Sequence, residues 1–238
     1  MINKIILVSG SASVGKTAVI KALMPYIQAS SYCPCVCKMD CIMTDDDRIY
    51  RSLGIPCIVA LSKDICPDHY LVSNLEELMQ WGADKDANLL FIETAGLCHR
   101  CSPATEKTIH ICVIDCTASC KSPEKLGPML TEADIIVLTK IDLISQAEKE
   151  IISYRIHMLN SNAKIYYLDG LNGYGAGLLA QSLLQYPDVN FDHDDRLRHT
   201  MPSGVCSYCV GEMRIGCAYQ QGIVEKIDIE GGKLINGF

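Results

Sequence analysis

Asn3-Lys-Ile-Ile-Leu-Val-Ser-Gly10-Ser-Ala-Ser-Val-Gly15-Lys16-Thr17 decides the fold. Asn3 to Val8, NKIILV, with its apolar run Ile5–Val8, reads as a short buried strand. It breaks into Gly10-x4-Gly15-Lys16-Thr17, and a helical pattern follows to about Gln28. Strand, glycine loop and helix in that order are the context that gives the phosphate-loop motif its meaning. Glycines let the loop curl so that its N–H groups face phosphate oxygens, and the helix N-terminus adds positive dipole. Gly10, Ser11, Ala12, Ser13, Val14 and Gly15 would line the phosphates. Lys16 would reach the β- and γ-phosphates, and the Thr17 hydroxyl would ligate Mg²⁺.

Outward from this loop, short apolar runs alternate with helical patterns. Strands are expected at Val36–Asp40, Ile55–Leu61, Asn88–Thr94, Ile109–Asp115, Asp134–Leu138 and Lys164–Leu168. Helices are expected at Asp45–Leu53, ended by Gly54, at Tyr70–Trp81, closed by Gly82, at Ser145–Leu159 and at Gly177–Gln185. Alternation of this kind predicts an α/β fold, a doubly wound and mostly parallel sheet, over residues 1–186. After Pro187 the pattern stops. Residues 187–200 are charged and read as a linker or acidic arm. Residues 201–238, rich in cysteine and glycine, read as a small appended module; the alternating stretch Gly222–Ile229 would fit a β-hairpin bearing a metal or cluster site.

Composition narrows the function. Of 238 residues 49% are hydrophobic, so the chain can bury a large core. With 21 basic against 28 acidic residues the net charge is −7, and no basic stripe occurs. Nucleic acid and anionic membrane are therefore excluded as expected partners. No apolar run reaches the roughly 18–20 residues that span a bilayer, and Ile5–Val8 is too short for a signal peptide. The expected compartment is the reducing cytoplasm, where 14 cysteines point to metal, cluster or redox chemistry rather than disulfides.

A phosphate loop needs an acidic residue near the metal and the γ-phosphate. Asp40 and Glu93, each at a strand end, are the candidates. For the base, Thr139-Lys140-Ile141-Asp142 follows the strand at 134–138. Asp142 can accept from the N1–H and N2–H₂ edge of guanine while the Lys140 stem packs on the ring. This favours GTP and leaves ATP open. The Asp45-Asp46-Asp47 run reads as a helix N-terminus favoured by the dipole.

Among the thiols, Cys66 and His69 stand three apart at a helix start, and Cys98-His99-Arg100-Cys101 follows Glu93. Cys66 and His69 suit Zn²⁺ or Ni²⁺. The C-x-x-C spacing of Cys98 and Cys101 lets both sulfurs point at one ion or cluster iron, and two such pairs would supply four thiolates, enough for a [4Fe–4S] cluster. Cys206, Cys209 and Cys217 form a second C-x-x-C plus one, as metal ligands or, for the first two, a redox pair. Cys33, Cys35 and Cys37 share a face by their period-2 spacing; with Cys41 they fit a soft metal site or plain packing equally. Cys57 and Cys112 read as core, and Cys116 and Cys120 as loop residues.

The runs Val113–Pro123, Gly127-Pro128, Ala133–Leu143, Ile92–Gly96 with Cys101-Ser-Pro103, and Ile65-Cys66-Pro67-Asp68-His69 together resemble the nickel-inserting maturation GTPases of urease and hydrogenase, the UreG/HypB family of SIMIBI-class NTPases. The resemblance spans about residues 3–185. It implies a homodimer closing face to face over nucleotide, metal at the interface, slow GTP hydrolysis, and delivery to a client metalloenzyme together with other maturation proteins. It also implies a base-closing loop at Asp169–Gly175. Two departures stand out: Thr139 where the family has Asn, and Asp68 inserted between Pro67 and His69. The rival expectation is an ATP-driven iron–sulfur protein like the nitrogenase iron protein; Ser11 and Ala12 stand where that group has its early lysine.

Overall fold

A computed structural model describes residues 1–96, 99–191, 195–199, 212–220 and 224–229. Strands β1 (Lys4–Ser9), β2 (Pro34–Asp40), β3 (Cys57–Leu61), β4 (Leu89–Glu93), β5 (Ile109–Asp115), β6 (Ile135–Thr139) and β7 (Lys164–Leu168) form one seven-stranded sheet. Its order is β3-β2-β4-β1-β5-β6-β7, and each adjacent pair is parallel. The expected α/β doubly wound fold is the one found.

The period-2 alternation of the strands sorts their side chains between two cores. Ile6 and Val8 face α1 (Lys16–Gln28) and α7 (Ala176–Gln185). Ile5 and Leu7 face α3 (Pro67–Ser73) and α4 (Leu75–Asp84). A third cluster packs β5 and β6 against α5 (Pro128–Thr131) and α6 (Gln146–Leu159). Ser145 starts α6 with a reciprocal cap, its hydroxyl accepting from Glu148 N–H while the Glu148 side chain accepts from Ser145 N–H. The short α2 (Asp47–Ser52) hands Tyr50 to the α1 side. Because all strands run the same way, their C-terminal ends, with Ser9, Asp40 and Glu93, open on one edge, where α/β sheets bind ligands.

The single helix expected at Tyr70–Trp81 is two. It breaks at Asn74, whose buried side chain donates to Tyr70 O (2.8 Å) and Glu225 O (2.9 Å) and accepts from Ile227 N–H (2.8 Å). A side chain that serves a distant backbone gives a reason for the helix to part there.

The described residues after Pro187 pack on the α3/α4 face. Val189 N–H donates to Asn3 O, and Leu197, Ile215 and Ile227 are buried in the α3/α4 core. Strands β8 (Asp195–Arg196) and β9 (Arg214–Ile215) pair antiparallel. Over 224–229, part of the stretch expected to form a hairpin, no regular element occurs. Among the described residues no helix is long and apolar enough to cross a membrane.

Candidate functional site: a phosphate loop beside a thiol cluster

The loop from Gly10 to Gly15 joins β1 to α1 at the open edge of the sheet. Gly10 has φ +141, and a Cβ there would lie 2.4 Å from the Val113 carbonyl oxygen, so only glycine fits. Lys16 is nearly buried, and its Nζ donates to Gly10 O (3.0 Å) and Ser11 O (2.8 Å). Burial pulls its pKa down to about 8, against the opposing pull of the Glu93 carboxylate. A cation this poorly solvated gains strongly from an arriving phosphate.

Glu93, at the end of β4, is only 1% exposed. Its Oε1 accepts from Thr17 Oγ1 (2.8 Å) and Lys38 Nζ (2.6 Å), and its Oε2 from the Tyr50 hydroxyl (2.6 Å). Lys38 Nζ also pairs with Asp46 Oδ2 at 2.9 Å. Burial alone would lower the Lys38 pKa; the Glu93 charge and the bonds to Asp46 and Glu93 outweigh it and raise the value. Thr17 Oγ1 lies 3.4 Å from that same Asp46 oxygen. Thr17, Glu93 and Asp46 thus present hard oxygen donors in one place, a set that fits Mg²⁺. Asp40 is half-buried at the end of β2; its Oδ1 accepts from Cys41 N–H, and its charge is felt at Lys16.

Sequence reading missed Lys38, Asp46 and Tyr50. Two signals were present. One is a lysine in the otherwise apolar Pro34–Met39 run; the other is the acidic run at 45–47, read only as a helix start. Asp46 is indeed the residue that precedes α2, but its carboxylate turns to Lys38 and Thr17.

On the base side, the Thr139 hydroxyl donates to Val14 O (2.7 Å), with Ile114 O at 3.2 Å. Threonine there fastens the phosphate loop to the β6 end. Lys140, at φ +56, pairs with Asp115 and reaches Ser13 O at 3.4 Å. Asp142 is exposed. In the loop from Asp169 to Gly175, Asp169 accepts from Leu171 N–H (2.9 Å) and Asn172 Nδ2 (2.6 Å), while Leu171 and Tyr174 are exposed.

Gly96 connects the nucleotide side to the thiols. Its φ is +77, and a Cβ would lie 2.4 Å from Gly10 O and 2.6 Å from Lys16 Nζ. Three residues on, His99 Nε2 is hydrogen-bonded to Ser11 Oγ at 3.0 Å. Two further on, the Cys101 thiol meets Asp68 Oδ2 at 3.1 Å and hydrogen-bonds Cys66. The bond from Cys101, with backbone N–H groups of His69 and Asp68, holds the Cys66 thiol well below its ordinary value. Cys101, the donor, is pushed up. Burial raises the Asp68 carboxyl to about 7. Ser9, Thr94, Gly96, Pro67 and Asp68 line one small cavity, so the thiol cluster abuts the phosphate loop.

The structure brings Cys66 and Cys101 together, while His69 is buried. Cys98, Cys206 and Cys209 lie outside the described residues. Cys217 is exposed, and its thiol donates to Glu76 Oε2 at 3.1 Å. Among the described residues no group of three or more His, Cys, Asp or Glu is arranged to hold a metal ion. Cys35 and Cys37 pack in the α3/α4 core, which accounts for them without a metal; Cys33 is exposed and Cys41 half-buried. Cys57, Cys112 and Cys116 are buried, and Cys120 is half-buried.

The stretch that follows Cys101 is clasped by the C-terminal segment. Ser102 N–H donates to His199 Nε2 (2.8 Å), and Arg198 N–H to Ala104 O. The Arg198 guanidinium binds both oxygens of Asp134 (2.9 and 2.8 Å) and the carbonyls of Thr105, Thr108 and Glu132.

Comparison with known proteins places the chain in a family. Residues 4–167 match the CobW/HypB/UreG nucleotide-binding domain. A protein of Methanocaldococcus jannaschii with no described activity is 45% identical over 225 residues, covering 94% of this chain and 96% of its own. Urease accessory protein UreG of Yersinia enterocolitica is 32% identical over 150 residues, 57% of this chain and 66% of the relative. Among solved structures, hydrogenase maturation factor HypB of Archaeoglobus fulgidus superposes with TM-score 0.62 at 20% identity, covering 76% of this chain and 89% of that one. HypB of Helicobacter pylori, in complex with nickel, gives 0.63 at 16% identity, covering 79% and 91%. These two likenesses concern the fold. The rival expectation of an iron–sulfur carrier is not favoured by this set of relatives.

Proposed function

The chain belongs to the CobW/HypB/UreG family through its nucleotide-binding domain, and on that footing we propose that it is a GTP-dependent metallochaperone GTPase. Lys16 and the backbone of Gly10–Gly15 bind the phosphates. Thr17 and Glu93, with Asp46, are the residues to hold Mg²⁺. That ion, when bound, neutralises charge on the β- and γ-phosphates. Asp40 faces the γ-phosphate side, and Asp142 reads guanine with Thr139 and Lys140 holding the loop. Positioning and charge neutralisation suffice for slow hydrolysis, so no strong base is required.

The cargo in this reading is a divalent transition metal, nickel first. Support comes from the name of UreG as a urease accessory protein and from the nickel in the Helicobacter HypB structure. Cys66 and Cys101 are its first ligands, joined by Cys98 and His69, and a second copy of the chain completes the set in a homodimer. Cys206, Cys209 and Cys217 are held in reserve as a separate site in the C-terminal segment. A client metalloenzyme receives the ion.

The observation that carries this reading is the path from Glu93 to Cys101. One short segment touches Thr17, Lys16 and Ser11 at its start and Cys66 at its end. A change at the γ-phosphate is thereby transmitted to the thiols, as in other nucleotide switches. Side-by-side GTP and ATP binding tests the first half. GTP is expected to bind at least about tenfold more tightly, the value of a bidentate base contact, and Lys16→Ala is expected to abolish both. Equal affinities would overturn guanine reading; binding that survives Lys16→Ala would overturn the phosphate site.

A further inference from the structure

We propose that Lys38 is a built-in counter-cation of the magnesium site, which lets the pocket hold a nucleotide with little help from Mg²⁺. The inference deepens the reading above and rests on it. Lys38 stands on β2 directly opposite Glu93 in the parallel register. It is 6% exposed, in a strand whose other side chains up to Met39 are apolar or thiol. A buried lysine persists only where it is paired.

The pairing is specific. Lys38 Nζ lies 2.6 Å from Glu93 Oε1 and 2.9 Å from Asp46 Oδ2. Those same two oxygens stand 2.8 and 3.4 Å from Thr17 Oγ1, the hydroxyl to which phosphate-loop proteins attach the metal. The ammonium thus already supplies positive charge at the acidic corner of the pocket. Without it, two carboxylates would face an incoming polyphosphate, and repulsion at low local dielectric would be relieved only by Mg²⁺. With it, the corner is partly neutral before any metal arrives. The same ammonium ties Asp46, just ahead of α2, to the end of β4, so the loop after β2 is fastened to the sheet.

The test compares GDP affinity in millimolar Mg²⁺ and in excess EDTA, read by a fluorescent GDP analogue, for wild type, Lys38→Met and Lys38→Arg. A thermal melt checks each fold. For wild type the two affinities are expected to differ by less than about tenfold, and for Lys38→Met by about a hundredfold or more, the scale of losing one close charge pair. Lys38→Arg keeps the charge and is expected to stay near wild type. A Lys38→Met ratio equal to the wild-type ratio overturns the proposal. If Lys38→Met does not fold, the wild-type ratio decides: above about a hundredfold it overturns the proposal. Wild-type protein that binds no nucleotide in either buffer overturns the functional reading itself, an outcome distinct from both.

Discussion

Two neighbouring regions at the same edge of the sheet treat their acidic groups in opposite ways. Glu93 is fully engaged by Lys38, Thr17 and Tyr50. Asp68, at the start of α3, meets the Cys101 thiol, and burial raises its carboxyl to about 7. The phosphate side is therefore preorganised: its charged groups are already paired, Lys38 with Glu93 and Lys16 with loop carbonyls. The thiol side holds two sulfurs and a carboxyl whose environment disfavours charge. In the proposed reading, a cation entering there would relieve that cost and a second copy of the chain would complete the ligand set. The contrast is between a paired, buried carboxylate on the phosphate side and a carboxyl kept from charge on the thiol side.

The sharpest way to break this contrast is Glu93→Gln. It removes the charge that Lys38 is paired with, and breaking a buried pair costs about 3–5 kcal/mol. Denaturant unfolding is expected to show a loss at the lower end, because Asp46 still pairs with Lys38. A loss under about 1 kcal/mol would mean that the two acidic groups do not differ after all. Next in size is Arg198→Ala, which unfastens the C-terminal segment behind the thiols. Bonds to a charged group are worth about 1.5–3 kcal/mol, so a drop in stability of that order is expected, with GDP affinity unchanged within about twofold. An equal loss in GDP affinity would show that the two regions are not separable.

Smaller still is the pH response of the phosphate side. Burial pulls the Lys16 pKa down to about 8, and bound phosphate favours its protonated form. Binding therefore takes up a proton above that pH. GDP affinity is expected to be flat below about pH 8 and to fall by up to about tenfold per unit above it, as calorimetry in buffers of different ionisation enthalpy would register. A flat profile to pH 10 would mean that the ammonium is not poorly solvated. The least effect is expected from Asp68→Asn, which keeps an acceptor for the Cys101 thiol and should shift stability at neutral pH by less than about 1 kcal/mol.

The sequence made the phosphate side legible and the thiol side only partly so. Gly10, Gly15, Lys16 and Thr17 fall within one eight-residue run, and their geometry follows from a local turn. The apolar strands announce a buried parallel sheet because neither face is free to be polar. Lys38, Asp46 and Tyr50 were hidden because their meeting at Glu93 depends on the β2–β4 register and on the fold of α2, which no local spacing encodes. The Cys66–Cys101 contact has the same origin: α3 and the segment after β4 are distant in the chain. Asn74 broke the expected helix for a reason that lies at Glu225 and Ile227, and the charged look of 187–200 concealed Leu197, which is completely buried. Thr139, a departure from the family pattern, gains its sense only from the Val14 carbonyl it binds.

Nickel titration of one preparation in two loaded states tests the central claim most directly. The protein is saturated with a non-hydrolysable GTP analogue or with GDP, and Ni²⁺ affinity is measured in each. If the segment from Glu93 to Cys101 carries the signal, the two affinities should differ by at least about tenfold, within the usual range of coupling between sites. Superimposable curves at demonstrated saturation would contradict the account.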